Sequence, residues 1–273
     1  MRFDFVASTG RTGTTFLAKA FDGLAGVAAC HEGYRAADKS TEPLLPLINL
    51  DNQRAFGNES AAMEVVAEKR SPEVVRLAAE RACAHTVIDF AYYNSTIAHA
   101  LLSIHPQARM AGIIRELEPF IRSATTIHGE DPLPVGWSDP DKPLTAREKF
   151  IALGRIRPSA KSAEGEAWAG WSAIKRNIWL WRETNQLLKR AKDQHPDRVL
   201  LLDFELLKED PSGFLAQLAQ HFELPTGELG KLAQGASSHR NKKPAGYQVG
   251  PFKDWTEEEQ QFAKEATGVK KWA

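Results

Sequence analysis

Three stretches of the chain carry residue types whose spacing could do chemistry. The first is Ser8-Thr9-Gly10-Arg11-Thr12-Gly13-Thr14-Thr15, which follows the apolar run Phe3 to Ala7 and leads into Phe16, Leu17, Ala20, Phe21 and Leu24 at helical spacing. A strand, a glycine-broken turn and a helix start gather backbone N–H groups at one point, which suits an oxyanion. Gly10 and Gly13 let the backbone come close to it, and Thr14 and Thr15 add hydroxyl donors. The second stretch is an apolar strand ending in Arg115, then Glu116-Leu117-Glu118-Pro119 and a helix, again an anion-binding geometry. The third, His31-Glu32-Gly33-Tyr34-Arg35, puts titratable groups at the C-terminal end of an expected strand, the edge where doubly wound sheets bind ligands.

Laid on a Walker A motif, Gly13-Thr14-Thr15 leaves Ser8 where the first Gly belongs and Thr14 where the Lys belongs, which weakens a nucleoside triphosphate reading. Arg11-Thr12-Gly13-Thr14-Thr15 instead resembles the loop of sulfotransferases, which reads Lys or Arg, then Ser-Gly-Thr-Thr; Thr12 replaces Ser and keeps the hydroxyl. The second motif of that family is a strand ending in Arg, a turn, and a helix with Ser eight residues after the Arg, as Arg115 and Ser123 are. Glu205, Leu206 and Pro211, followed by Leu224-Pro225, match a third stretch.

The resemblance implies PAPS (3′-phosphoadenosine 5′-phosphosulfate) as co-substrate. Gly10, Arg11, Thr12, Gly13, Thr14 and Thr15 would hold its 5′-phosphosulfate, and Arg115 and Ser123 its 3′-phosphate. Arg240 and Lys242, with Lys243, are candidates for a basic loop over that phosphate, against a plain solvated charge run. The implied reaction is in-line transfer of a sulfuryl group to a hydroxyl or amine, Arg11 facing the charge that builds on the bridging oxygen. It requires no metal, although Asp203 after four apolar residues also mimics a Walker B carboxylate. Cytosolic members take their base from a His after the third strand, and residues 89–94 contain none. Other members use a Glu shortly after the second strand, so Glu32 is the expected base, with His31 and then Asp89 as alternatives.

These groups need a scaffold, and the rest of the chain supplies one. Strands are expected at residues 27–30, 86–90, 109–115 and 198–203, with helices over 72–84, 95–104, 120–127 and 256–266. A long helix should carry Trp168, Trp171, Trp179 and Trp181, with packing on the sheet as the main role of these rings. Residues 40–70 read as an acceptor-facing loop and a short helix, and residues 129–161 as a segment over the active site. The sum is a three-layer α/β fold of the P-loop type with a central, mostly parallel sheet of about five strands, in one domain over residues 1–273.

With 273 residues, 42% of them hydrophobic, the chain can bury a full core. Lys+Arg and Asp+Glu are both 35, a balance that does not suggest a nucleic-acid binder, so the expected partner is a small-molecule or glycan acceptor. The N-terminus enters a strand at once and no apolar run reaches bilayer length, so a cytoplasmic protein is expected, with Cys30 and Cys83 reduced in apolar surroundings. A P-loop kinase using ATP and magnesium, and a non-catalytic nucleotide-binding protein, remain the rival readings.

Overall fold

The structure is a computed structural model and describes residues 1–37, 42–125, 154–225 and 249–268. Its centre is a six-stranded sheet in the order β3-β2-β4-β1-β5-β6, built from β1 (Arg2–Ser8), β2 (Val27–His31), β3 (Tyr34–Arg35), β4 (Thr86–Phe90), β5 (Met110–Ile114) and β6 (Val199–Asp203). All neighbours are parallel except β3, which turns back along β2. β1 lies in the middle, Val6 opposite both Phe90 and Ala111, and is buried from Phe3 onward. A near-continuous apolar run is what a parallel strand covered on both faces requires.

Alternation along β1 divides the core. Phe3, Phe5 and Ala7 face one layer with Val65, Val66, Val75, Leu101 and Leu102, while Val6 faces the other with Leu17, Phe21, Phe214 and Phe222. Helices therefore cover both faces. α1 (Thr14–Asp22), α9 (Phe204–Glu209) and α10 (Pro211–His221) belong to the second layer; α3 (Glu59–Lys69), α4 (Pro72–Arg81) and α5 (Ala98–Ile104) belong to the first. A third, aromatic cluster joins α6 (Leu117–Thr125), α8 (Ala173–Gln194) and α11 (Glu257–Thr267) through Phe120, Trp168, Trp179 and Trp255. Two short helices, α2 (Asn52–Ala55) and α7 (Ala163–Ala167), complete the described set. Among the described residues no helix is long and apolar enough to cross a membrane.

The mostly parallel central sheet expected from the sequence is present, and its sixth strand arises because the charged cluster after β2 folds back as the two-residue β3. Other expectations need correction. Residues 40–70 hold α3, eleven residues long, capped by Asn58, whose side chain accepts from the Ala61 N–H. Pro43, Pro46 and Gly57 obscure it by breaking the pattern just before the helix begins. The tryptophan helix starts at Ala173 behind a Ser172 cap, so Trp168 sits in a 3-10 turn and Trp171 precedes the helix. α6 begins at Leu117, three residues ahead of the expected start. Cys30 is buried but Cys83 is exposed, at φ 52° in the turn after α4; both are free thiols.

Candidate functional site

The loop between β1 and α1 lies at the C-terminal edge of the sheet, beside the ends of β4 and β5. Three left-handed positions within four residues shape it: Gly10 at φ 80°, Arg11 at 61° and Gly13 at 73°. Gly13 is the N-cap of α1 and makes no side-chain cap; its carbonyl accepts from the Leu17 N–H at 3.0 Å. A Cβ on Gly13 would touch Leu207 at 3.3 Å and Phe204 at 3.5 Å, so α9 packs directly on the loop. Inside the loop, Ser8 Oγ accepts from the Gly10 N–H at 3.0 Å and from the Thr12 hydroxyl at 2.8 Å. Thr12 is therefore a buried brace, and Thr14 and Thr15 stand at the helix start.

Arg115, at the end of β5, and Ser123, in α6, come to this loop from the other side. Arg115 Nη1 donates to the Arg11 carbonyl at 2.6 Å, and Arg11 Nε donates to Ser123 Oγ at 3.1 Å. The guanidinium of Arg115 lies 4.9 Å over the Phe204 ring, and its carbonyl accepts from the Trp181 indole at 2.7 Å. Residues separated by more than a hundred positions thus form one cationic cluster with hydroxyl donors at the helix start. Trp179 and Trp168 are buried packing residues, as expected, while Trp181 anchors Arg115.

On the opposite flank, His31 closes β2 with Nε2 at 3.1 Å from both the Thr14 and Thr15 hydroxyls, and burial pulls its pKa down. Glu32 follows at φ 55°, its N–H donating to the Phe90 carbonyl at 3.2 Å. Its carboxylate makes no hydrogen bond or ion pair with the described residues. Burial pushes it up to about 7, against the pull of the Arg155 guanidinium and with a further push from Asp89.

Asp89 is committed elsewhere. Fully buried, it accepts from Arg70 Nη2 at 3.3 Å, Tyr93 OH at 3.4 Å and the Gly33 N–H at 3.1 Å. It shapes the turn that carries Glu32. Gly33 must be glycine there, since it sits at φ 85° and a Cβ would lie 2.9 Å from the Leu45 carbonyl.

One neighbour of the loop escaped the sequence reading. Arg155 reaches the loop from 146 residues away: Nη1 donates to the Thr9 carbonyl at 2.8 Å, and its terminal nitrogens lie under 3.0 Å from where a Gly10 Cβ would be. Its guanidinium also stacks 4.0 Å over the Tyr92 ring. No motif marks Gly154-Arg155-Ile156, which falls within the stretch read as a segment over the site. Arg240 and Lys242 lie outside the described residues. Asp203 caps α9, accepting from the Glu205 N–H at 2.9 Å, and is exposed.

No protein-family model matches the chain, and no curated protein matches it in sequence. Solved structures do match. The sulfotransferase domain from the curacin biosynthetic pathway is 14% identical over 82% of this chain and 74% of its own, with a TM-score of 0.50. The sulfotransferase domain of the Synechococcus PCC 7002 olefin synthase is 14% identical over 100% of this chain and 90% of its own, at 0.49. Sulfotransferase STF1 of Mycobacterium tuberculosis H37Rv is 14% identical over 98% and 76%, at 0.49. The first of these carries the assignment, and what it carries is the fold.

Proposed function

We propose, taking a sulfotransferase fold as the premise, that this protein transfers the sulfuryl group of PAPS to a hydroxyl or amine of a small-molecule or glycan acceptor. The observation that supports this reading is the meeting of Arg11, Arg115 and Ser123 at the Gly10–Thr15 loop, with a carboxylate, Glu32, that has no hydrogen-bond partner among the described residues at the same sheet edge. The residues fit the co-substrate. The loop has its left-handed positions, a helix start with no side-chain cap, and two hydroxyls, while Arg115 and Ser123 stand ready for a second phosphate. That second phosphate is what separates this nucleotide from ordinary adenylates.

In this reading the co-substrate supplies the activated sulfuryl group, and the protein supplies position and charge. The backbone N–H groups of the loop and the Thr14 and Thr15 hydroxyls hold the 5′-phosphate. Arg11 faces the bridging oxygen as it becomes negative, its backbone carbonyl fixed by Arg115. Glu32 accepts the proton of the attacking hydroxyl.

A thermal-shift panel with adenosine 3′,5′-bisphosphate, ATP with magnesium, and AMP tests the reading. Selective stabilisation by the bisphosphate supports it. Equal shifts from AMP and the bisphosphate would sink the role of Arg115 and Ser123, and a preference for ATP with magnesium would point to a kinase. Bisphosphate binding without transfer to any acceptor in a panel would leave a nucleotide-binding protein.

Two variants sharpen the assignment. Arg115→Ala should cost about 1.5–3 kcal/mol of bisphosphate affinity, the range of a charge-assisted hydrogen bond, measured by calorimetry. Arg11→Ala should lower kcat more than it lowers product-nucleotide affinity, because its charge matters most once the bridging oxygen is negative. Near-normal kcat at saturating substrate would return Arg11 to a surface turn residue.

A further inference from the structure

We propose that His31 is a positioning residue of the phosphate loop, turning the Thr14 and Thr15 hydroxyls from its own ring toward a bound phosphate by taking a proton onto Nε2. The inference rests on the reading of that loop as the seat of the nucleotide's 5′-phosphate. Its ground is one nitrogen between two hydroxyls: Nε2 lies 3.1 Å from Thr14 Oγ1 and 3.1 Å from Thr15 Oγ1. The fold makes the meeting. Leu17 and Phe21 of α1 pack in one layer with Ala29 of β2, so His31, the last residue of β2, lands beside the first two residues of α1.

These two contacts are the only hydrogen bonds that the ring and the two hydroxyls make among the described residues. Nδ1 has no such partner, so the hydroxyls alone orient the ring. A hydroxyl has one proton to give. With Nε2 unprotonated, a hydroxyl that donates to it has none left for a phosphate. With a phosphate in the loop both protons go to its oxygens, and an unprotonated Nε2 would then face two oxygen lone pairs at hydrogen-bond distance. The contacts survive only if Nε2 carries a proton and donates to the hydroxyl oxygens. The same heavy atoms thus allow two arrangements, and phosphate selects one of them. Above its midpoint the ring exchanges its Nδ1 proton for one on Nε2 through solvent; below it, the ring takes up a second proton from solvent.

The charged and titratable groups around the ring are few. Lys19 on α1 opposes a charge there and Asp89 on β4 favours one, although Asp89 is already paired with Arg70 at 3.3 Å. From β3, Tyr34 stands opposite His31, while Arg35 is tied to Asp22 at 3.2 Å; on β4 the opposite residue is Phe90. Glu32 follows in the chain. Burial keeps the ring toward its neutral form in the empty loop. A phosphate held by Thr14 and Thr15 places negative charge next to Nε2 and favours the imidazolium. Thr14 stands where a Walker loop has its Lys. Here the cation behind that position is conditional, and the ligand creates it.

The test uses the whole chain with adenosine 3′,5′-bisphosphate as the probe. The nitrogen-15 resonances of the His31 ring are read at about pH 8, above the ordinary range of an imidazole. In the free protein Nε2 should resonate as an unprotonated nitrogen, with the proton on Nδ1. On saturation it should move to the protonated position, and the His31 midpoint should rise by about one pH unit or more. A proton already on Nε2 in the free protein, or an unprotonated Nε2 in the saturated complex, would overturn the proposal. Both readings use the unaltered chain, so no variant has to fold.

Reciprocity supplies a second measurement. A midpoint raised by one unit means that protonation strengthens bisphosphate binding about tenfold. The ratio of wild-type to His31→Gln affinity should therefore climb by about tenfold as pH falls through the midpoints, and taking the ratio removes the titration of the phosphate itself. A ratio independent of pH overturns the proposal equally. A bisphosphate that raises Tm while the His31 resonances stay in place overturns the relay and leaves the nucleotide reading standing. A bisphosphate that leaves Tm unchanged removes that reading and the relay with it.

Discussion

Glu32→Gln should lower turnover by about 10²–10⁴ while leaving the binding of adenosine 3′,5′-bisphosphate intact, since the amide keeps the shape and loses the basicity. Geometry favours Glu32 over its neighbours. His31 is engaged with two threonine hydroxyls, and Asp89 is buried in an ion pair, whereas the Glu32 carboxylate has no partner among the described residues. Wild-type kcat should climb as pH rises through about 7, the value to which burial raises this carboxyl.

The same shift has a sign for stability. A carboxyl whose folded pKa lies above its ordinary value of 4.5 binds its proton more tightly in the folded chain. Its stabilising contribution is therefore full below that value and is lost as pH rises through about 7. Glu32→Gln removes this loss, so the variant's Tm should gain on the wild type between about pH 5 and about pH 8. Retained turnover in Glu32→Gln, with loss in His31→Ala, would move the base one residue back; a Tm difference independent of pH would show that Glu32 is solvated.

What could be read from the sequence and what could not divide along a physical line. β1, β4 and β6 are short apolar runs between turn residues, and a parallel strand buried on both faces has little other way to be written. Thr256 and Glu259 announce the start of α11 because a capping box needs both residues at that spacing, and both bonds are present. The eight-residue spacing of Arg115 and Ser123 is visible in the sequence. That the Arg11 side chain reaches Ser123, and that Arg115 holds the Arg11 carbonyl, is not, because strand order decides it: β5 lies next to β1.

Arg155 and Arg70 illustrate the remaining gap. Each is a single Arg in an unremarkable local context, and each acquires its role from a partner far away in the chain, Thr9 for one and Asp89 for the other. Periodicity and capping are local signals and carry nothing about such pairs. Asp89 itself looks like a candidate base from its place at the end of a strand, and only the Arg70 guanidinium beside it shows that its charge is already used.

That pair supports the last and largest stability effect expected. Arg70→Met should destabilise the protein by about 3–5 kcal/mol, because it leaves the fully buried Asp89 carboxylate without its cation. For a chain of this size that is a fall in Tm of roughly 6–20 °C. Arg70 also donates to the Pro46 carbonyl at 2.6 Å and the Lys69 carbonyl at 2.8 Å, so part of the loss belongs to the end of α3 rather than to the ion pair. A double-mutant cycle separates the two. Asp89→Asn keeps an oxygen to accept the Gly33 N–H but removes the charge, so the Arg70→Met/Asp89→Asn double variant should be more stable than Arg70→Met alone. The gain arises because no unpaired charge is then left in the core. Asp89→Asn also removes a negative charge that pushes the Glu32 carboxyl up, so its acid limb of kcat should move to lower pH even as its stability falls. Additive losses in the double variant would mean that the two side chains do not sense each other. An unmoved acid limb would mean that Asp89 shapes the Glu32 turn through its hydrogen bond to Gly33 alone.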